Sequence, residues 1–380
     1  MRRRREPLAA GIADRRLIVC CGSGGVGKTT TAAVLALAGA RRGRDAVVVT
    51  IDPARRLATA LAMEDLSDEA RLVPAERAQR AGLEMRGELW ALQLDPKATF
   101  DRLVARHAPS EAARERILAN RIYRHLSSAV AGSQEYMAVE RLHELVEDGR
   151  FDRIVLDTPP ARNALEFLDA PERMIRFIEG RALRLLMASG GRAGGLGRRA
   201  LQAGGSMVLH LLERLTGAEL LRDVSEFLVS FDGMYAGFRD RAAEVRRMLR
   251  SDEAGFLIVS GPQIEPTHEA LALWRRLRHD GFPVGGVVVN RVHGLPREGP
   301  VSPAAIALVL AAEGAPAPES LAERAAATLE EERLAALRDL DVVEGLRRAL
   351  EGLRLTQVPE LVHHPVDLEG LARVSEELLH

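Results

Sequence analysis

The sequence predicts an α/β fold: a doubly wound, mostly parallel sheet with helices on both faces and a helical insertion subdomain. Three observations predict it. Short, almost wholly apolar runs recur along the chain and alternate with helical patterns, as strands buried on both faces do. The first run leads into a glycine-rich turn and then a helix. The second and fourth runs end on aspartates, Asp52 and Asp157.

Taken in order, strands are expected near 16–21, 45–52, 89–94, 152–157, 255–260, 284–290 and 354–358. Residues 1–14 open with arginines and no apolar stretch behind them, so they read as a flexible basic arm rather than a secretory signal. The main domain is expected to run from 15 to 380. An Ala- and Leu-rich helix follows the glycine turn, and further helices are expected around Ser110–Leu126 and Gln134–Val146. The stretch between Asp157 and Gly255 is mostly helical in pattern, with apolar residues at three- and four-residue spacing in Pro171–Ile178, Met207–Leu212 and Leu220–Val229. Within it, Ser189–Gly205 is too glycine-rich for a good helix and is expected to be a mobile loop. A helical subdomain is therefore expected mainly from 97–130 and 162–250. Its apolar faces, softened by Met174, Met187, Met207 and Met234, suit an apolar client helix. They equally suit packing on themselves or on a dimer partner. Glu313–Ser320 reads as a linker, and a helix pattern fills Leu321–Gly352.

Composition bounds the function. The 380 residues carry 53 Lys+Arg against 54 Asp+Glu, a net charge of -1, with 47% hydrophobic and 28% charged residues. These values exclude a disordered chain, and the balanced charge argues against a nucleic-acid coat. No apolar run reaches transmembrane length. The two cysteines, Cys20 and Cys21, are neighbours on a strand and point to opposite faces, so they suit neither a disulfide nor a shared metal. A cytoplasmic location fits. Lysine survives only at Lys28 and Lys97 in an arginine-dominated chain. Where it survives, arginine is expected to be a poor substitute.

Lys28 lies in Gly22-Ser23-Gly24-Gly25-Val26-Gly27-Lys28-Thr29-Thr30, the phosphate-loop pattern G-x-x-x-x-G-K-[ST], between a strand and a helix. The glycines let the backbone curl so that its N–H groups face phosphate oxygens, and the helix N-terminus adds partial positive charge. Lys28 is a compact cation for the β- and γ-phosphates, and the Thr29 hydroxyl suits Mg²⁺. The fold class is thus a P-loop NTPase. Asp157 reads as the acid that holds the Mg²⁺ shell, through water, and Asp52 as the acid that orients the attacking water. Either acid alone could be a turn or helix cap. The late strand ends Val289-Asn290-Arg291-Val292, without the Asn-Lys-x-Asp that reads guanine, so the nucleotide is expected to be ATP. Asn290 is the candidate for the adenine edge, with a strand-end turn residue as the other reading.

Together, the glycine loop, Thr50–Leu57 and Asp157–Leu168 resemble the ArsA ATPase family, which includes the arsenite-pump ATPase and the guided-entry ATPase for tail-anchored membrane proteins. Gly132-Ser133-Gln134-Glu135, Val287–Arg291 and Leu355–Glu360 resemble further family segments, and the resemblance runs in order from about residue 15 to 375. It implies that Gly24, Gly25, Val26, Gly27, Lys28, Thr29 and Thr30 surround the phosphates. It implies Asp52 and Lys28 as catalytic residues, Thr29 and Asp157 at the metal, and Asn290 and Pro359 around adenine. It also implies a nucleotide-gated dimer, as a homodimer or with a related ATPase, and a hydrophobic helical client or membrane-protein partner.

Three departures qualify this. The family's second loop lysine, which reaches across the dimer, is replaced by Ser23; Arg55, Arg56 or Arg162 are the candidates to supply that charge in trans. The separated cysteines of the arsenite-pump branch are absent, so a metalloid pump subunit is not expected. The CxxC of guided-entry dimers is also absent. The alternative readings are a nucleotide-binding scaffold with little hydrolysis, acting with a related chain, and a ParA/MinD-type positioning ATPase. The second needs a basic face or an amphipathic C-terminal anchor, and Val374–Leu379 is too short and acidic to serve as one.

Overall fold

The computed structural model describes residues 12, 14–120, 123, 133–159, 169, 237, 240–295, 302–361 and 367–379. Seven strands fall where the apolar runs lie: β1 (Leu17–Gly22), β2 (Ala46–Thr50), β4 (Leu89–Gln93), β5 (Arg153–Asp157), β6 (Ala254–Ser260), β7 (Val284–Val292) and β8 (Leu355–Pro359). β3 (Arg71–Leu72) is additional. Its two exposed residues carry no apolar pattern to announce it, and it pairs antiparallel at the sheet margin with β4. All other pairings are parallel, in the order β3-β4-β2-β5-β1-β6-β7-β8.

Both faces of the sheet are buried. Leu17, Val19 and Cys21 of β1 point into one apolar core, Ile18 and Cys20 into the other. Val47 and Val49 of β2 part from Ala46 and Val48 in the same way. This is why these strands read as continuous rather than alternating apolar runs. The helix Ile264–His279 covers the first face with Leu273, Trp274 and Leu277, beside Val343 and Leu346 of the helix Pro318–Ala349. The helix Lys28–Arg41 covers the second. It is buried nearly all round, since the helix Leu368–Leu379 packs over its far side with Leu371 and Leu378. Two-sided cover explains why that segment is rich in Ala and lacks a polar stripe. Cys20 and Cys21 are buried, free and on opposite faces, as strand geometry requires.

From β1 the chain moves outward through β2 to β4, returns to β5 between β2 and β1, then crosses to β6, β7 and β8. The connection from β1 runs toward β2 and the one from β5 runs the other way, to β6, so the loop after β1 opens into the crevice where such sheets bind ligands. Everything expected of 162–236 except Asp169 lies outside the described residues, as do 121–132 save Tyr123, so the boundaries of a helical subdomain remain an expectation. Within its first part, Pro96–His107 and Glu111–Ala119 are helices, capped by the Asp95 and Ser110 side chains. The expected linker is shorter than its composition suggests. The helix Pro303–Ala312 ends at Glu313, and the next begins at Pro318, in keeping with proline's fit to a first helical turn. Among the described residues no helix is long and apolar enough to cross a membrane.

Candidate functional site

Register brings the two expected acids to one end of the sheet. Asp157, the last residue of β5, stands level with Cys20 of β1 and Thr50 of β2. The loop after β1 curls over this edge before the helix starts at Lys28. Gly27 holds that curl with φ +97, and a Cβ there would come within 2.2 Å of the Asn290 amide nitrogen. Gly22 lies against the Val259 carbonyl, where a Cβ would sit 1.9 Å from the oxygen. Both positions therefore admit glycine alone.

The polar groups converge beneath the loop. The Thr29 hydroxyl donates to Asp157 Oδ2 at 2.7 Å, and the Thr50 hydroxyl donates to the same oxygen at 2.9 Å. Asp157 Oδ1 is buried with no hydrogen-bond partner. Burial pushes the Asp157 carboxyl up to about 6, against the pull of the two hydroxyls and Lys28. The Lys28 ammonium donates to the Ser23 carbonyl at 2.7 Å. Burial lowers its pKa, while Asp157 and Asp52 oppose that. An uncompensated carboxylate oxygen beside a threonine hydroxyl fits a divalent cation or its bound water, because both oxygens suit a hard ion. The donor set therefore fits Mg²⁺.

These residues line an open cleft of about 600 Å³ that includes Gly24, Gly25, Gly27, Lys28, Thr29, Thr30, Asp52, Arg55, Arg56 and Asp157. Asp52 sits at its wall with one oxygen accepting from the Ala54 N–H at 2.9 Å and the other 3.6 Å from Arg56. Val26 is nearly buried in the loop. Arg55 pairs with Asp65 at 3.3 Å. The third arginine considered, Arg162, lies outside the described residues. Ser23 faces the helix Ile264–His279, where its hydroxyl donates to Glu269 at 2.6 Å. Asn290 and Pro359 line a small neighbouring hollow with Thr30, Arg291, Val358 and Glu360. The Asn290 amide donates to the Val26 carbonyl at 2.9 Å, so in this structure it ties β7 to the phosphate loop.

Three participants were not singled out by pattern. Thr50 lies in the run that ends at Asp52, but only the pairing of β2 with β5 shows that its hydroxyl meets Asp157. Glu269 carries no motif and reaches the loop by helix packing. His293 follows β7, and its ring bonds Asp339 of the long helix at 2.7 Å and lies 3.2 Å from Glu360. Among the described residues no group of three or more His, Cys, Asp or Glu is placed to hold a metal.

A glycine loop, a lysine at the start of the following helix and a threonine–aspartate pair at the switch point of a parallel sheet define a P-loop nucleotide-binding protein. Comparison with known proteins narrows the class. The family model of ArsA ATPases, described as anion-transporting ATPases, matches residues 15–299. The chain belongs to the ArsA ATPase family. The expectations of fold and family are met, and the family is one of nucleotide-binding ATPases. Similar proteins include ATPase ARSA1 of Chlamydomonas reinhardtii, 28% identical over 297 residues, which are 74% of this chain and 35% of that protein. ATPase get3 of Neurospora crassa is 30% identical over 169 residues, 44% of this chain and 47% of its own. ATPase ASNA1 homolog 1 of Paramecium tetraurelia is 30% identical over 156 residues, 40% and 43%. The matches span less than half the length of each of these relatives.

Proposed function

We propose that this chain binds ATP with Mg²⁺ in the cleft above Asp157 and hydrolyses it. The observation that carries the reading is the Thr29–Asp157–Thr50 cluster beneath the loop, with its one unpaired carboxylate oxygen. Mg²⁺ would be held by the Thr29 hydroxyl, with Asp157 through water, and would supply neutralisation of phosphate charge.

The remaining roles belong to the chain. The Lys28 ammonium leaves the Ser23 carbonyl for the β- and γ-phosphates. Gly24, Gly25, Val26 and Gly27 offer backbone N–H groups to them, and Thr30 closes the helix side. Asp52 is fixed by the Ala54 N–H and orients the attacking water. Asn290 and Pro359 form the adenine side. Catalysis is by positioning and charge, so no covalent enzyme intermediate is involved. Its family supports a second element: a nucleotide-gated dimer, of two copies or with a related ATPase, that engages a hydrophobic helical client or membrane protein.

One observation favours a slower variant of this reading. Ser23 stands where the family's bridging lysine is expected, and it is bonded to a carboxylate, Glu269. A nucleotide-bound scaffold with little turnover follows if no other cation replaces that lysine. Light-scattering mass with ADP and with Mg-ATP, read beside phosphate release on the same samples, separates the two. A switch gives a dimer with ATP and steady phosphate release. ATP binding without either identifies the scaffold.

A further inference from the structure

We infer that Arg291 is a nucleotide-positioning residue, supplied in cis, that grips the ligand where its phosphates meet its ribose. The inference rests on the nucleotide reading of the cleft above.

The backbone at Arg291 is the first observation. Four described residues other than glycine have positive φ: Ala62, Arg291, Ala317 and Glu351. Three of them flank helix ends, where the left-handed conformation closes or opens a turn. Arg291, at φ 61, lies within β7 instead. A Cβ is disfavoured there, so the surrounding structure must hold it. It does so by a bulge. Val289 of β7 is level with Gln357 of β8, but Val292 is level with Pro359, so β7 fits one extra residue against β8. The Asn290 amide anchors the near side of the bulge to Val26, and the Glu360 N–H donates to the Val292 carbonyl on the far side. Bulges beside sites commonly re-aim a side chain.

The target of that aim is the second observation. Arg291 lines the phosphate cleft and also the small hollow walled by Asn290 and Pro359. Among the described residues only Thr30 shares both. A ligand with its phosphates in the loop and its base in the hollow must pass this point.

Charge is the third. The other cations lining the cleft are already engaged: Lys28 with the Ser23 carbonyl, Arg55 with Asp65 and Arg56 with Asp52. Arg291 makes no hydrogen bond or ion pair among the described residues. Its guanidinium is exposed and planar, with several donors suited to phosphate oxygens. Its place where the cleft meets the hollow, a position it shares with Thr30, assigns it to the α-phosphate and ribose, which ADP and ATP share.

Arg291→Gly is the informative variant, since glycine accepts the left-handed backbone and removes only the side chain. Mg-ADP and Mg-ATP are titrated calorimetrically into the wild type, Arg291→Gly, Arg291→Lys and Lys28→Ala, with melting temperatures measured alongside. Arg291→Gly is expected to weaken both nucleotides about tenfold with no fall in Tm, and Arg291→Lys to recover part of the loss. A structural role would lower Tm and be neutral or better served by glycine in binding. Wild-type affinity for ADP in Arg291→Gly overturns the assignment, and so does a loss confined to ATP. If wild type and Lys28→Ala alike fail to bind ADP, the nucleotide reading itself has failed, and this assignment falls with it.

Discussion

Asp157 is held by two threonine hydroxyls on one oxygen and by nothing on the other. Its raised pKa has a sign that can be tested. Burial moves the folded-state value up from 3.8 to about 6, so the folded chain binds a proton more readily than the unfolded chain between these limits. Asp157 therefore costs stability as pH rises through that window, and the cost stays in place above it. Asp157→Asn is expected to raise the Tm of the ligand-free protein at pH 8, by an amount on the order of 1–3 kcal/mol in stability. The same change is expected to abolish the Mg²⁺ dependence of ATP binding. A lowered Tm at pH 8 would show that the carboxylate is better compensated than its surroundings indicate. In the wild type, the Mg²⁺ dependence should weaken as pH falls below about 6, because the cation must then displace a proton. Gly27 makes a different demand. Gly27→Ala forces a Cβ into the Asn290 amide and a left-handed backbone, so a loss of roughly 2 kcal/mol is expected in denaturant unfolding. Adding Asn290→Ala should restore only the part due to the clash. Lys28, Thr29, Asp52 and Asp157 were legible in the sequence because motif chemistry fixes their order and spacing. Thr50, Glu269 and Arg291 were not, because their places beside the cleft depend on register, helix packing and a bulge.

At the scale of elements, the carboxyl end of β7 is tied down twice. Asn290 binds it to the phosphate loop, and His293 binds it to Asp339 of the helix Pro318–Ala349 and approaches Glu360 beyond β8. The Asp339 hydrogen bond, with Asp339, Glu360 and Glu332 around the ring, raises the His293 pKa. A raised histidine stabilises fully below the unfolded value near 6.5, and that contribution is lost as pH rises through the folded value. The protein should thus lose stability as pH rises above about 6.5, and His293→Gln should flatten that slope; an unchanged slope would remove His293 from the account. Strand positions were legible because two-sided burial writes continuous apolar runs. The bulge in β7 was not, since nothing in Val289-Asn290-Arg291-Val292 marks a left-handed residue: Arg291 is neither Gly nor Asn. β3 escaped notice because two exposed residues carry no period.

For the whole molecule, one sheet with a core on each face places the loop after β1 at the reversal of winding, and this makes the site a consequence of topology. The α/β class, the mostly parallel sheet and the family were legible in the sequence, while the strand order came only with the structure. The partner is a property of surfaces that no local pattern fixes, and much of the expected helical subdomain lies outside the described residues. The central claim is that the loop, Lys28 and Asp157 hold Mg-ATP. Equilibrium titration of ATP into the wild type and Lys28→Ala, each with Mg²⁺ and with EDTA, tests it most directly. Saturable wild-type binding that EDTA weakens, and a loss of about 100-fold or more in Lys28→Ala, is the expected result. Equal affinity in the two proteins, or binding indifferent to Mg²⁺, would contradict it.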